Sequence, residues 1–418
     1  MKKFLALFMA AAMVLAMVAC GNGGNNANSG TGGNNDQSNT GGDSTGGDST
    51  GGDSTGGDST GGAVTLKIGG IGPLTGDAAI YGNATYWGAQ VAVDEINAMQ
   101  SDIKIEYKFE DDEHDGEKAI NAYRSLQDWE VDVIYGCTTS APCLAVAGET
   151  FADRYFQLTP SASSTDVTAG RDNVFQICFT DPNQGVTAAK YIAENKMATK
   201  IAVIYNNADA YSTGIYEAFA AEAPNQGLEV VSVSTFADDK NPDFSVQVRD
   251  AQSSGAELVF LPIYYTPASN ILKQAKDIGY APKFFGADGM DGILTMAGFD
   301  LSLAEGLMLM TPFNAYATDE RTVTFIDSYK KLSGGVEPNQ FAADGYDCIY
   351  AIYEAAKKAG INDGMSHEDI CAALISAFTD SSFSVDGLTG SGMTWTATGE
   401  VSKEPVAVVI ENGIYVNM

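Results

Sequence analysis

The 418-residue sequence has few basic residues and only two histidines. It contains 23 lysines and arginines against 54 aspartates and glutamates, which gives a formal net charge of −31. A surface this acidic disfavours nucleic acid and anionic lipid as partners, because both carry negative charge. His114 and His367 lie in acidic, polar segments. With so few groups that titrate near neutral pH, the sequence disfavours an enzyme.

The motifs of common enzyme, nucleotide and metal sites are missing or incomplete. HExxH does not occur in the sequence, and GxSxG occurs only as GDSTG within the glycine-rich repeats before residue 62. The glycines at 69–76 lack the spacing of a dinucleotide-binding loop and enclose Pro73. The acidic run that starts at Asp111 has Ala122 at the position where a calcium loop needs an acid. We therefore predict no cofactor and no metal site.

Cysteine is also scarce, and its spacing fits neither a metal site nor a CxxC redox motif. Apart from Cys20 there are five cysteines, an odd number that cannot all pair within the chain. Cys137 and Cys143 are close enough in sequence to pair, and the sequence leaves this open. For Cys178, Cys348 and Cys371 we expect buried thiols.

The first 19 residues predict a secretory signal peptide. Lys2 and Lys3 precede an apolar run that ends in small residues before Cys20, and this run is too short for a comfortable membrane span. The segment Met17–Cys20 resembles a bacterial lipobox, in which the cysteine is lipidated and becomes the mature N-terminus. We predict a lipid anchor at Cys20 and a location on the outer face of the bacterial cell membrane. An ordinary signal peptide with an incidental cysteine is the alternative.

A linker follows the anchor and extends over residues 20–62. After Cys20 it consists of Gly, Asn, Ser, Thr, Asp and one Gln, with four tandem GGDST repeats at 41–60 and with Ala27 as the one apolar residue. Such a segment cannot bury enough apolar surface to fold, so we expect it to be disordered. A glycine-rich coil of about 42 residues reaches roughly 35 Å, which suits a tether between a membrane and a folded domain.

From residue 63 onward, short apolar runs alternate with segments that have helical spacing. This alternation predicts a parallel sheet, and two such series in succession predict two similar lobes. The predicted strands include 131–135, 155–158, 200–205 and 283–286. The predicted helices include 83–98, 144–153, 319–332 and 341–359.

Hydroxyl side chains follow two successive predicted strands. Thr138, Thr139 and Ser140 follow the first strand, and Ser161 and Ser163 follow the second. In an open α/β sheet the ligand binds at the carboxyl ends of the strands. Hydroxyls and free backbone N–H groups there suit a small anion such as a carboxylate. The alternative is that Ser140 and Ser163 only cap helices.

Eight short segments in a fixed order give the chain a family resemblance. It resembles type I periplasmic binding proteins, specifically the branched-chain amino acid (leucine/isoleucine/valine) binding lipoproteins of ABC importers, over residues 63–418. The segments are GPLTG at 72–76, AAIYGN at 78–83, GA at 88–89, DEIN at 94–97, SASSTDVT at 161–168, TAAKYI at 187–192, KQAKDIGY at 273–280 and GADG at 286–289.

The resemblance implies an α/β fold of two doubly wound parallel-sheet lobes joined by a three-segment hinge. The first lobe would contain residues 63–181 and 311–390, and the second lobe would contain residues 182–310 and 391–418. The chain would then cross between the lobes near Thr180, Thr311 and Thr389.

The resemblance also implies which residues hold an amino acid between the lobes. Ser140 and Ser163 would donate to its α-carboxylate, with the backbone at Ser161 beside them. Asp288 would face the ammonium group, with Tyr211 and Tyr264 as neighbours. The side-chain pocket would be lined by Tyr81, Thr138 and Phe341. His114 and Thr139 stand where leucine-type proteins often carry a cysteine pair.

The function implied by the resemblance is that of an extracytoplasmic lipoprotein, monomeric and not an enzyme. It would capture a branched-chain or related amino acid and deliver it to an ABC permease in the membrane. The alternative is a sensory receptor of the same fold that binds a different small molecule, such as an amide or an aromatic acid, and signals to a membrane partner. The sequence leaves the side chain of the ligand open.

Overall fold

The structure is a computed structural model that describes residues 63–418. The predicted signal peptide, the anchor at Cys20 and the linker therefore lie outside the described residues. The described chain forms two sheets, each parallel or mostly parallel, with helices between successive strands. This confirms the predicted α/β class with parallel-sheet lobes. None of the helices in residues 63–418 has the length and apolar character needed to span a bilayer.

The first sheet has five parallel strands in the order β2-β1-β3-β4-β5. Val133 and Tyr135 of the third strand face one buried apolar cluster, and Ile134 between them faces another. Burial on both faces is what a doubly wound sheet requires. The elements are β1 (Val64–Gly72), α1 (Ala79–Ala98), β2 (Ile103–Asp111), α2 (Gly116–Asp128), β3 (Val133–Gly136), α3 (Ser140–Asp153), β4 (Phe156–Thr159) and β5 (Val174–Gln176).

The second sheet has seven strands in the order β12-β11-β10-β9-β8-β6-β7. Strands β6 to β10 are parallel, and the last two strands of the chain add an antiparallel edge. The elements are α4 (Asp181–Glu194), β6 (Lys200–Asn206), α5 (Ala210–Glu222), β7 (Glu229–Phe236), α6 (Ser245–Ser253), β8 (Leu258–Leu261), α7 (Tyr265–Asp277), β9 (Lys283–Gly286), β10 (Met308–Met310), β11 (Ala407–Glu411) and β12 (Ile414–Asn417).

Three helices return from the second sheet to pack on the first. They are α8 (Glu320–Ser333), α9 (Gln340–Ala359) and α10 (His367–Phe378). The hydroxyls of Tyr346 and Tyr350 on α9 donate to Glu95 of α1 at 2.7 and 2.9 Å. Phe378 of α10 lies 4.9 Å, between ring centroids, from Phe156 of β4. The chain therefore crosses between the sheets before α4, before α8 and again before β11.

Contacts near the third crossing tie the C-terminal segment to the first sheet. The indole N–H of Trp395 donates to the backbone carbonyl of Gln176 in β5 at 2.8 Å. The backbone amide of Gln176 donates to the carbonyl of Gly399 at 2.9 Å. Beyond them, buried Lys403 forms an ion pair with buried Asp344 of α9 at 2.8 Å. Residues 395–399 thus lie at the edge of the first sheet, although the predicted division assigns 391–418 to the second lobe.

Most predicted elements are confirmed, with shifts at their ends. The strand at 283–286 has the predicted bounds, whereas the predicted helix 144–153 was wrong at its start, because α3 begins at Ser140. Pro142 sits in the first turn of α3, where a helix tolerates proline because the missing N–H would have no partner within the helix. Helix α1 likewise begins at Ala79 rather than at residue 83.

Candidate ligand-binding site

A small cavity lies where the carboxyl ends of strands from both sheets meet. About 10 Å³ of it accepts the centre of a water molecule, which is room for about one ordered water. A larger ligand therefore enters only when the two sides move apart or the side chains shift. Its lining consists of Tyr81, Thr138, Thr139, Ser140, Ser161, Tyr211, Tyr264, Asp288, Gly289 and Phe341.

On the side of the first sheet, hydroxyl groups converge on the start of α3. Ser140 is the first residue of α3, and its Oγ accepts from the amide of Ser164 at 3.3 Å. Ser161 donates to the carbonyl of Thr138 at 2.5 Å, which joins the loops after β3 and β4. The first amides of a helix have no partner within the helix and carry partial positive charge. This side of the cavity therefore suits a carboxylate.

The structure excludes the alternative that Ser140 and Ser163 serve only as helix caps. The cap of α3 is Thr139, and its side chain makes no capping hydrogen bond. Its Oγ1 lies 2.8 Å from Nδ1 of His114 instead. The cap of the short 3-10 turn Thr165–Val167 is Ser164, also without a side-chain capping bond. The hydroxyl of Ser140 is thus placed at the cavity rather than used to start its helix.

On the side of the second sheet, Asp288 follows β9 in a short 3-10 turn and is 3% exposed. Its Oδ1 accepts from Gln184 at 2.9 Å and from Tyr211 at 2.7 Å. The amide of Asp288 donates back to Gln184 at 3.0 Å, so this glutamine holds both ends of the residue. Burial raises the pKa of Asp288 to about 6, and the two donated hydrogen bonds oppose that rise.

Aromatic rings fill the space between the two polar sides. Tyr211 and Tyr264 are stacked with centroids 4.9 Å apart, and Tyr81 lies 4.6 Å from Phe341. Tyr81 also donates to the carbonyl of Gly289 and accepts from the amide of Tyr265 at 3.1 Å. Tyr81 thereby links α1 of the first side to two loops of the second side.

The structure brings eight of the nine predicted ligand residues to one cavity. Ser163 is the exception: it is fully buried but does not line the cavity, and its carbonyl accepts from the amide of Asp181 at 3.0 Å. Thr139 and Gly289 line the cavity, although neither was predicted to contact the ligand. Gln184 does not line the cavity but is hydrogen-bonded to Asp288. Thr139 belongs to the hydroxyl loop that the sequence already indicated, whereas nothing local in the sequence marked Gln184.

Asp181 is an unmatched carboxylate beside this site. It begins α4 and is 1% exposed. Among residues 63–418, neither of its carboxylate oxygens nor the Oγ of Ser163 has a hydrogen-bond partner of good geometry. Burial raises the pKa of Asp181 well above its usual value, the nearby hydroxyl of Ser163 opposes this rise, and the nearby charges of Asp288 and Asp209 add to it. The folded protein therefore favours a proton on Asp181.

Within residues 63–418, no group of three or more histidine, cysteine, aspartate or glutamate side chains is placed to hold a metal ion. All five cysteines in this range are free and buried, including Cys137 and Cys143. The expectation of buried thiols at Cys178, Cys348 and Cys371 is confirmed.

We expect the protein to be more stable at pH 5 than at pH 8. The pKa values of Asp181, Asp209 and Asp288 are raised on folding, to about 7 for Asp209 and about 6 for Asp288. The folded state therefore binds more protons than the unfolded state. The contribution of these three groups to the free energy of unfolding is complete below about pH 4 and is lost as pH rises through about 7. The melting temperature should fall by at least about 2 °C between pH 5 and pH 8.

Asp181→Asn should flatten that decline, because the amide needs no proton to be buried. A matched control is Asp172→Asn. Asp172 is an exposed carboxylate that accepts a hydrogen bond from Arg154 at 2.6 Å, and this bond lowers the pKa of Asp172. Its contribution changes only at acid pH, so the slope from pH 5 to pH 8 should stay as in the wild type. Equal slopes for the wild type and Asp181→Asn would contradict the assignment of Asp181.

Known proteins resemble this chain in sequence and in fold. The Leu/Ile/Val-binding protein homolog 3 of Brucella melitensis is 28% identical over 342 residues, which are 81% of this chain and 89% of that protein. A branched-chain amino acid transporter substrate binding protein, LivJ of Streptococcus pneumoniae in complex with isoleucine, superimposes with a TM-score of 0.74. The two sequences are 25% identical, and the superposition covers 85% of this chain and 100% of the LivJ chain.

A third similar protein shares the fold alone. It is a solute binding protein of an ABC transporter from Rhodopseudomonas palustris in complex with 3,4-dihydroxybenzoic acid, with a TM-score of 0.74 and 21% identity over 85% of this chain and 96% of that one. All three are named as binding proteins rather than enzymes. The periplasmic binding protein family model matches residues 65–411, and the predicted resemblance is thus confirmed: the chain belongs to the periplasmic binding protein family.

Proposed function

We propose that this protein captures an amino acid between its two lobes and delivers it to an ABC permease. The observation that carries the proposal is one cavity with Ser140, Ser161 and the start of α3 on one side and Asp288 on the other. A zwitterion needs hydrogen-bond donors at its carboxylate and an acid at its ammonium, because burying either charge unpaired is expensive. The similarity to Leu/Ile/Val-binding proteins supports the same ligand class.

An aromatic acid is the second candidate ligand. The ring cluster of Tyr81, Tyr264 and Phe341 supports it, as does the shared fold of the protein that binds 3,4-dihydroxybenzoic acid. Such a ligand has no ammonium to match Asp288, and this disfavours it.

Either ligand class is compatible with transport or with sensing through a membrane partner. A permease and an ATPase encoded next to this chain would support transport.

Asp288→Asn should weaken amino acid binding strongly. The asparagine keeps the shape of the side chain but removes the charge that faces the ammonium. Loss of one partner of a buried, hydrogen-bonded charge pair typically costs about 2–5 kcal/mol, or about 30-fold to several-thousand-fold in affinity. The ligand is first chosen by a thermal-shift screen of the twenty amino acids and benzoate, and calorimetric titration then measures the affinity.

Ser140→Ala is the companion variant for this test. It should cost about 1–3 kcal/mol, because the first backbone amides of α3 remain for the carboxylate. If Asp288→Asn stays folded and binds the chosen amino acid within threefold of the wild type, the assignment of the ammonium site is wrong. Stabilisation by benzoate alone would favour the aromatic acid.

We further propose that the two sheets belong to lobes that close around the ligand. Crossings near Thr180 and Thr311 agree with the sequence-based division. The hydrogen bonds of Trp395 and Gly399 to β5 and the ion pair of Lys403 with Asp344 favour a third crossing near Lys403, rather than near Thr389. Hinges of this kind let lobes move as rigid bodies.

Closure should be visible by small-angle X-ray scattering. Addition of the chosen amino acid is expected to reduce the radius of gyration, because the lobes approach each other when both ends of the ligand are bound. At the same ligand concentration Asp288→Asn should show a smaller change. Saturating binding by calorimetry without any compaction would speak against a closing cleft.

The proposed location follows from the family and from the N-terminal sequence. Family membership implies an extracytoplasmic protein, and we propose that a lipid on Cys20 anchors it to the outer face of the membrane, with the linker to residue 62 as tether. Cys20 and the linker lie outside the described residues, so this proposal rests on the signal-like run and the lipobox resemblance.

Cys20→Ala should release the protein from the membrane fraction of its native host. The reason is that alanine offers no thiol for lipid attachment. Cys178→Ala, which removes a buried thiol instead, serves as the control and should fractionate like the wild type. The anchor assignment fails if Cys20→Ala remains in the membrane fraction in the same proportion as the wild type.

A further inference from the structure

A second, larger cavity lies outside the candidate site and between the same two sides of the cleft. About 350 Å³ of it accepts the centres of water molecules. It is lined on the first side by residues of the loops after β1 and β2 and on the second side by residues after β6 and β7. We call it the outer cavity, and we call the small cavity at Asp288 the inner cavity.

Carboxylates dominate the lining of the outer cavity. Its two lysines are Lys118, which forms an ion pair with Glu113 at 2.5 Å, and Lys240. His114 is also part of the lining, and burial lowers its pKa, so its ring is neutral at pH 7. The outer cavity therefore has a large excess of negative charge. The acidic residues in its lining are Asp77, Glu113, Asp115, Asp209, Asp238 and Asp239.

Two of these carboxylates have no cation as a partner. Asp209 is 8% exposed and caps α5, and its Oδ2 accepts from the backbone amide of Ser212 at 3.2 Å. Asp239 is partly buried and accepts from the side-chain amide of Asn206 at 3.0 Å. Neither forms an ion pair with any residue in 63–418. Burial raises the pKa values of both groups, and a cation beside them would offset the cost of their charges.

Tyr264 gives an independent indication of a ligand at this place. It is 8% exposed and lines both cavities. Among residues 63–418 its hydroxyl has no hydrogen-bond partner, and Asp209 is the charged group that acts on it most strongly. Because Tyr264 lines both cavities, its hydroxyl is available to a polar group of a ligand beside Asp209.

Two aromatic rings lie where the linings of the two cavities meet. Tyr264 lines both cavities, and His114 lines the outer cavity and is hydrogen-bonded to Thr139, which lines the inner one. The two rings meet edge to face with centroids 5.5 Å apart. A ligand side chain that extends from the inner to the outer cavity would therefore displace one of these rings and end among the carboxylates of the outer cavity.

We propose that the preferred ligand is an amino acid whose side chain ends in a cation, as in lysine or ornithine. The proposal rests on the proposed function, because the α-carboxylate and α-ammonium groups occupy the inner cavity. The side-chain cation lies beside Asp209 and Asp239, and the ring of Tyr264 adds a cation–π contact. A purely aliphatic side chain would leave both carboxylates without a cation.

The test compares lysine with norleucine, which has the same side-chain carbons and no terminal amine. Calorimetric titration of the folded chain should show lysine binding at least about tenfold tighter, with an advantage that shrinks as salt is added. Asp209→Asn should remove most of that advantage and change norleucine affinity by less than twofold. Asparagine also caps helices, so α5 keeps its cap. Asp239→Asn is a second variant with the same expectation.

Asp250→Asn is the matched control, because Asp250 is an exposed acid on α6 away from both cavities. It should leave the lysine preference unchanged. If norleucine or leucine binds as tightly as lysine and Asp288→Asn abolishes that binding, the amino acid function stands and this inference is overturned. If no amino acid binds, the proposed function and this inference fail together.

Discussion

Burying carboxylates between two lobes is the constraint on which the rest of this structure depends. Asp181, Asp209 and Asp288 are buried, and no residue in 63–418 supplies any of them with a cation at ion-pair distance. An isolated charge in a protein interior is expensive, so such groups take a proton, find a partner or remain in water. Each of these outcomes couples the opening of the cleft to pH or to a positively charged ligand.

The fold makes this coupling possible because it places two independent sheet edges opposite each other. The loops after β3 and β4 present hydroxyls and helix amides, and the loop after β9 presents an acid. Each edge is held by its own contacts, since β3 is buried on both faces and Gln184 is hydrogen-bonded to both the side chain and the backbone amide of Asp288. In the proposed closure the distance between the edges would change, so affinity and closure would depend on the same contacts.

Local patterns in the sequence predicted the strands and the hydroxyl loops well, and the family resemblance supplied the acid and the aromatic residues of the site. The strand before Asp288 has the predicted bounds, and eight residues implied by the resemblance share one cavity. The resemblance also implied Ser163, which does not line the cavity and whose carbonyl accepts from the first backbone amide of α4. Asp181, Gln184 and Lys403 became important only through neighbours more than a hundred residues away or on another element, which no periodicity reveals.

Under the proposed function, the excess of acid in the cleft would also disfavour closure on the wrong molecule. A ligand shifts the equilibrium between open and closed forms only by the difference in its affinity for the two. A neutral or anionic molecule would leave Asp288 unmatched and would gain little from closure. A zwitterion offsets the cost at Asp288, and a second cation would offset the cost at Asp209 and Asp239 as well. Discrimination then comes from the penalty for unmatched charges at least as much as from the contacts that the ligand makes.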